Sequence, residues 1–172
     1  MKIIAQTPRL LIREFAADEE ELLLAIDADE RLIRYVKKRG PEESRRLFRE
    51  SLKDYGNGTG LGRWGVFNQA DGDFIGLCML KPSESDASCI ELGYRLHLKY
   101  WGIGIATELS KALVFYGFKE IGLPAITAVT HPQNAVSQRV LEKAGLIRQG
   151  TAFWYGEDLP FFKIEAREEG ER

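Results

Sequence analysis

The stretch Lys99-Tyr100-Trp101-Gly102-Ile103-Gly104-Ile105-Ala106-Thr107-Glu108 decides the fold of this chain. A strand-like run, Cys89 to Leu98, leads into it, and an amphipathic run, Ile105 to Lys119, leads out. Two glycines one residue apart let the backbone turn sharply and approach a ligand closely. The helix that follows points unpaired N–H groups at the same place, which favours a bound phosphate. For an isolated Gly-x-Gly, a tight turn without a ligand is the alternative interpretation.

Other phosphate-binding motifs do not fit this stretch. Thr107 stands where a dinucleotide-binding loop has its third glycine, and no Gly-Lys-Ser/Thr triplet occurs in the chain, which excludes a Walker-type loop. The 172 residues suit one domain, 1–172, and their net charge of −2 argues against broad nucleic-acid binding. The start of the chain lacks a secretory signal, and no apolar run is long enough for a membrane helix. We therefore expect a cytoplasmic protein without a membrane partner, whose two cysteines are reduced.

Hydrophobic periodicity predicts a mixed α/β domain with one central sheet. Strands are expected at 9–15, 63–67, 74–80, 89–98, 125–130, 146–155 and 161–167. Asp18 is expected to cap a first helix, 31–38 to form a short helix, and Pro41 to begin a longer one. Two further helices are expected, at 105–119 and from Asn134 to Ala144. In the first of them, one face should be buried, because apolar residues recur at helical spacing at Ile105, Leu109, Leu113 and Tyr116.

Several blocks of sequence resemble the GCN5-related N-acetyltransferase (GNAT) superfamily, in its RimJ/RimL-like branch of ribosomal-protein N-terminal acetyltransferases. They occur in the family's order and at family-like spacing, and they are Ile90–Tyr94, Tyr100–Glu108, Asn134–Ser137 and Val140–Leu146. The segment Thr7–Arg13 resembles the opening strand of that family. The similarity covers nearly the whole chain and is weakest in the helices of the first half.

The resemblance implies a fold and a co-substrate. The fold is a mixed, mostly antiparallel sheet of about seven strands, splayed in the middle and flanked by helices. Acetyl-CoA is the implied acyl donor, with its pyrophosphate on backbone N–H groups of the loop and its pantetheine arm along the edge of the incoming strand. The cofactor-binding residues are then Leu96, His97, Leu98, Trp101, Gly102, Ile103, Gly104, Ile105, Ala106, Thr107 and Asn134.

The implied reaction is direct attack of a primary amine on the thioester through a tetrahedral intermediate. Its departing thiolate needs a proton, and Ser137 is the candidate donor, because a serine at this Asn-x-x-Ser position has that role in the resembled branch. Spacing alone favours a simpler interpretation, in which Asn134 is an N-cap and Ser137 a first-turn residue.

Glu91 is the candidate base that takes the proton of the attacking ammonium, because a carboxylate is unusual in an otherwise apolar strand. The alternatives are a solvent-facing residue on a one-sided sheet and a base formed by a chain of water molecules. Trp154 and Tyr155 are candidates for the wall of the acceptor groove. The two histidines and two cysteines are all separated, so no metal site is expected.

The sequence therefore predicts an N-acetyltransferase that acts on a primary amine. A protein N-terminus is the first expectation for the acceptor, and a polyamine, amino acid or antibiotic amine is the alternative. A non-catalytic acyl-CoA-binding module and a general nucleotide-binding domain are rival interpretations from other classes. A homodimer is one expectation for the oligomeric state, which the sequence leaves open.

Overall fold

The computed structural model describes residues 1–32 and 34–168 as one mixed α/β unit. Its helices are α1 (Glu20–Ala28), α2 (Pro41–Asp54), α3 (Ile105–Phe115) and α4 (Ala135–Lys143). Its strands are β1 (Ile3–Gln6), β2 (Leu10–Arg13), β3 (Gly62–Asn68), β4 (Phe74–Pro82), β5 (Ile90–Leu96), β6 (Ala125–Val129), β7 (Ile147–Trp154) and β8 (Glu157–Glu165).

The eight strands form a single sheet in the order β1-β2-β3-β4-β5-β6-β8-β7. Every neighbouring pair is antiparallel except β5 and β6, which α3 connects. The predicted fold class is confirmed, with one strand more than the predicted seven. The missed strand is β1, a short edge strand whose four residues show little alternation between apolar and polar side chains.

The helices cover both faces of the sheet. The predicted stripe of α3 is confirmed, since Ile105, Leu109, Leu113 and Tyr116 are all buried in the larger core cluster. Helix α3 packs beside α4 on this face, and its chain continues as a π-helical turn, Tyr116–Ile121. Helices α1 and α2 pack together on the other face, over a second core that contains Phe15, Phe48 and Leu77.

Two local predictions in the first half are wrong. Asp18 does not cap α1; the helix begins at Glu20, and the carboxylate of Glu19 accepts hydrogen bonds from Arg13 and from the Ala16 N–H. The sequence pattern considers only which residue types favour the capping position, so it cannot predict that Glu19 forms these hydrogen bonds in place of a cap by Asp18. In the stretch predicted as a short helix, the described residues 31–32 and 34–38 form turns and irregular backbone, and Ile33 lies outside the described residues.

The sheet is splayed between β5 and β6. These strands pair at a single register position, Glu91 with Thr127, whereas β4 and β5 pair over seven positions. The predicted splay is thus confirmed, and it opens a gap in the middle of the sheet towards the C-terminal end of β5. Because parallel strand ends and a helix N-terminus meet at this place, the gap is the natural place for a ligand.

Candidate active site

In β5, the backbone N–H and C=O groups of the even-numbered residues point towards β6 and the gap. The odd-numbered residues exchange hydrogen bonds with β4, and His97 extends this pattern by donating its N–H to the Ile75 carbonyl over 2.9 Å. The Leu96 carbonyl on the gap side accepts a 2.8 Å hydrogen bond from the indole of Trp101. The backbone groups of Tyr94 and the N–H of Leu96 therefore point into the gap beyond the last residue that pairs with β6.

His97 and Leu98 lie differently from Leu96. Their carbonyls accept hydrogen bonds from the N–H groups of Tyr100 and Trp101 within a 3₁₀ turn, Leu98–Tyr100. Their predicted part in cofactor binding stays a prediction, although the structure directs much of their backbone away from the gap. The backbone groups of Tyr94 do point into the gap. The sequence did not indicate Tyr94 as a ligand-binding residue.

The glycine loop leads directly into α3. Gly102 and Gly104 adopt φ of 74° and 83°, the left-handed region that side chains disfavour. The first intrahelical bond of α3 runs from the Glu108 N–H to the Gly104 carbonyl, so the N–H groups of Ile105, Ala106 and Thr107 have no helical acceptor. These donors and the helix dipole make an electropositive cradle that fits a pyrophosphate.

Arg9 braces this cradle from the start of the chain. Its Nη1 donates to the Ile103 carbonyl over 2.7 Å, and its Nε lies 3.4 Å from a carboxylate oxygen of Glu108. A Cβ atom added at Gly104 would lie 3.3 Å from the Arg9 Nη2. Arg9 thus adds a cation beside the cradle, a role that the sequence did not reveal because the two segments are more than 90 residues apart.

Glu91 lies on the face of the sheet that α1 and α2 cover. It is only 4% exposed, so the interpretation as a solvent-facing residue is wrong for this strand. Its carboxylate accepts a 2.7 Å hydrogen bond from the Tyr155 hydroxyl. Burial raises the pKa of Glu91, and the hydroxyls of Tyr155 and Ser83 oppose that rise. A carboxylate in this environment has a basicity closer to neutral pH, as a general base requires.

The contact with Glu91 explains an unusual turn. Tyr155 and Gly156 join β7 to β8 and adopt φ of 55° and 79°, as a two-residue hairpin loop requires. Asparagine or glycine normally occupies such positions, and an aromatic residue is strained there. The side chain of Tyr155, which holds the Glu91 carboxylate, gives a physical reason for this residue at this turn.

Ser137 lies on the other face of the sheet, in the first turn of α4. Its Oγ is 3.0 Å from the hydroxyl of Tyr94, whose pKa is raised by burial. The side-chain oxygen of Asn134 accepts from the Ser137 N–H over 3.1 Å, so Asn134 is the N-cap of α4. This bond leaves the NH₂ group of Asn134 for another acceptor. The predicted roles of both residues in chemistry and cofactor binding stay predictions.

The two pairs lie on opposite faces of β5, with Glu91 at the closed end of the gap, where it pairs with Thr127, and Tyr94 three residues further along the strand. Glu91 and Tyr155 lie on one face of β5, and Tyr94 and Ser137 lie on the other. Residues that are far apart in sequence thus bring a buried carboxylate and a serine hydroxyl to the same strand, and their catalytic roles stay predictions. Within residues 1–32 and 34–168, no group of three or more His, Cys, Asp or Glu side chains could hold a metal ion, and no helix is long and apolar enough to cross a membrane.

A splayed sheet whose free strand edge meets a helix N-terminus, with a buried carboxylate and a serine hydroxyl on opposite faces of β5, suits a coenzyme-dependent group-transfer enzyme. The sequence pattern of the acetyltransferase (GNAT) domain matches residues 9–147. The chain therefore belongs to the GNAT family and is an acetyl-CoA-dependent N-acetyltransferase.

Known proteins resemble the chain over most of its length. An uncharacterized N-acetyltransferase of Bacillus subtilis, YoaA, is 26% identical over 155 residues, which cover 88% of this chain and 87% of the relative. A GNAT-family acetyltransferase of Bacillus anthracis superposes with a TM-score of 0.78 at 25% identity, over 96% of this chain and 98% of the other. RimL, a ribosomal alpha-N-protein acetyltransferase solved with coenzyme A, shares the fold with a TM-score of 0.78 at 16% identity, over 96% and 98% of the two chains.

Proposed function

We propose that this enzyme transfers an acetyl group from acetyl-CoA to a primary amine by direct attack, with Glu91 as base and Ser137 as acid. The observation that carries the proposal is the placement of these two side chains on opposite faces of β5, beside the gap in the sheet. The thioester supplies an activated acetyl group. The protein has to remove one proton from the attacking amine and deliver one to the departing sulfur.

The buried carboxylate of Glu91 is suited to remove the first proton. An amine attacks with its lone pair, so an ammonium must first transfer a proton to a base. A free α-amino group has a pKa of about 8 and a lysine amine about 10.4, and a carboxylate with a raised pKa accepts that proton more readily. Tyr155 fixes the orientation of the carboxylate through the 2.7 Å hydrogen bond.

Ser137 is suited to donate the second proton. As the nitrogen–carbon bond forms, the carbon–sulfur bond breaks and its electron pair stays on sulfur. The Ser137 hydroxyl protonates that thiolate, and Tyr94, at 3.0 Å from Ser137, is placed to replace the proton. The backbone N–H groups of Tyr94 and Leu96 on the gap side supply donors for the oxyanion that develops on the acetyl group.

The cradle is suited to the coenzyme's pyrophosphate. The N–H groups from Gly102 to Thr107 and the cation of Arg9 converge on the N-terminus of α3. Trp101, at the other end of the predicted cradle, donates its N–H to the Leu98 carbonyl and closes the end of β5 with its indole. We assign the pantetheine arm to the β5 edge at Tyr94 and Leu96, with the NH₂ group of Asn134 on the opposite side.

A protein N-terminus is the first candidate acceptor, because the motifs resemble the RimJ/RimL-like branch and because the RimL structure shares the fold. A small amine is the second candidate. The test is a panel of N-terminal peptides, polyamines and amino acids, assayed by release of free thiol from acetyl-CoA and by mass spectrometry of the acceptor. We expect acetylation of at least one amine in the panel, at a nitrogen.

Two variants connect the activity to the proposed residues. Glu91→Gln should lower turnover about 100-fold, the typical contribution of a general base, without loss of coenzyme binding. Glu157→Gln, a substitution of the same kind at an exposed position of β8, is the matched control and should keep full activity. Binding of acetyl-CoA without thiol release on every acceptor would support the non-catalytic module instead.

A further inference from the structure

Three arginines meet in the interior between the sheet and helices α1 and α2. Arg39 precedes α2, Arg63 lies on β3 and Arg95 lies on β5, and we call this group the arginine pocket. Together with Asp27 of α1 and three leucines, they surround a cavity of about 10 Å³. Arginines are rarely buried unless they are paired, yet Arg63 is buried and the side chains of Arg39 and Arg95 are only 15% and 12% exposed, so their meeting at one small cavity requires an explanation.

Three cations and one carboxylate are found among the described residues that line the cavity, and Glu43, Glu84 and Glu91 act on the arginines from outside it. Asp27 is the one carboxylate that lines the cavity, and both of its oxygens are used, one by Arg95 and the other by the Ser44 hydroxyl at 2.7 Å. The nearest carboxylate oxygen to Arg39 is 3.8 Å away on Glu43, and the buried Nε of Arg39 has no hydrogen-bond partner.

Arg63 is the most isolated of the three. The residue is 5% exposed, and its guanidinium forms no hydrogen bond or ion pair within residues 1–32 and 34–168, although Asp27 and Glu84 lie close enough to act on its charge. A guanidinium without a protein partner presents a planar fork of donors that matches an oxyanion. The cavity has the room of about one water molecule, which suits a terminal oxygen of an anionic group that enters from outside.

The pocket shares one face of the sheet with the proposed base. Glu91, Gly93 and Arg95 alternate along β5, and the register places Arg63 and Gly93 on either side of Met79. Glu91 and Arg95 are four residues apart, so their Cα atoms lie about 13 Å from each other along the strand. A molecule that presents an amine to Glu91 can thus reach the arginine pocket with an anionic end.

We propose that the arginine pocket binds an oxyanion, a carboxylate or a phosphate, carried by the acceptor. The acceptor is then an amine that also bears an anionic group, and Arg63 contributes its unpaired guanidinium to specificity. This inference rests on the proposed function, because it presumes that the amine is acetylated beside Glu91. The competing explanation is purely structural, with the arginines holding α1 and α2 on the sheet through Asp27 and Glu43.

The experiment compares acceptors that differ only in the anion. A series of amino acids with increasing distance between amine and carboxylate, from glycine to 4-aminobutyrate, is assayed against the corresponding amides, and phosphoethanolamine against ethanolamine. For the wild-type protein, we expect kcat/KM for the preferred anionic acceptor to exceed that of its neutral partner at least about 10-fold, the range of a charge-assisted hydrogen bond. The amino-acid series tests recognition of a carboxylate, and the comparison of phosphoethanolamine with ethanolamine tests recognition of a phosphate.

Substitution of Arg63 separates recognition from structure. Arg63→Met should remove most of the preference for the anionic acceptor, through KM, and leave the neutral acceptor within about 2-fold, while Arg63→Lys should restore part of it. Arg148→Met, at an exposed position of β7, is the matched control and should change neither value. Equal losses on both acceptors, or a wild-type enzyme that does not discriminate between acid and amide, would overturn the proposal.

A binding measurement separates this inference from the proposed function. Sulfate, phosphate or acetate should raise the unfolding temperature of the wild-type protein above that in chloride at equal ionic strength. Arg63→Met should reduce this difference, and the remainder, which comes from anions at the cradle, should be lost in Gly104→Val. If no amine releases thiol from acetyl-CoA but the oxyanion effect is present, the proposed function fails and the anion site stands. If thiol is released and no oxyanion distinguishes the wild type from Arg63→Met, the anion site fails alone.

Discussion

Replacement of Tyr155 by phenylalanine tests whether Glu91 acts as the base. The change removes one hydroxyl, which donates a 2.7 Å hydrogen bond to the Glu91 carboxylate. It keeps the aromatic ring and the left-handed backbone conformation that the hairpin turn already imposes. The carboxylate loses a donor that stabilises its ionised form, so the pKa of Glu91 rises.

The size of the effect follows from the strength of that bond. A hydrogen bond to a charged group contributes about 1.5–3 kcal/mol, and one pKa unit corresponds to about 1.36 kcal/mol. Tyr155 is partly exposed, which favours the lower end of this range. A base works only when ionised, so activity rises with pH through the pKa of Glu91. The acid limb of the pH profile should therefore move up by about one unit, with little change at the alkaline plateau.

The assay is thiol release from acetyl-CoA at saturating acceptor, from pH 5 to pH 9, with one acceptor for all variants so that its own titration cancels. Tyr94→Phe is the matched control, since it removes a part-buried tyrosine hydroxyl that contacts Ser137 and leaves Glu91 untouched. It should lower the plateau rate without moving the acid limb. A folded Tyr155→Phe protein whose acid limb coincides with that of the wild type would refute the assignment of Glu91.

The other predictions concern the acid and the cradle. Ser137→Ala should reduce turnover about 100-fold and leave acetyl-CoA affinity within about 2-fold, and equal turnover would remove Ser137 from the mechanism. Gly104→Val should abolish coenzyme binding in a titration, because a side chain there meets Arg9 and enters the cradle; Gly72→Val, at a similar φ of 75° in open space, controls for backbone strain. Arg9→Gln should weaken coenzyme binding about 5-fold, because the loss of a half-exposed cation costs about 1 kcal/mol. An unchanged affinity would show that Arg9 does not support coenzyme binding at the cradle.

Much of the second half of the fold was readable from the sequence because its signals are local. The stripe that starts at Ile105, the glycine turn before it and the cap at Asn134 each depend on residues within one or two helical turns. In the first half of the chain, the same reliance on local signals gave a wrong prediction for the start of α1. Glu19, rather than the better capping residue Asp18, is engaged at the start of α1, because Arg13 from the preceding strand fixes its carboxylate.

The candidate site was only partly readable because its decisive contacts are non-local. Glu91 and Tyr155 are 64 residues apart and meet through the order of β6, β8 and β7 in the sheet. Arg95 and Asp27 are 68 residues apart and meet across the sheet and α1. Sequence spacing cannot indicate such pairs, so the candidate base was recognised as unusual, while its partner and the arginine pocket emerged only in three dimensions.

The single pairing position between β5 and β6 has a consequence for the cohesion of the domain. It divides the sheet into a five-stranded part and a three-stranded part, each with continuous antiparallel ladders of its own. A ligand that lies in the gap and bonds to the free backbone of β5 acts as a substitute strand, and its binding free energy adds to the free energy that keeps the two parts together. Occupancy of the gap and the free energy that holds the two parts of the sheet together are therefore thermodynamically linked in this protein.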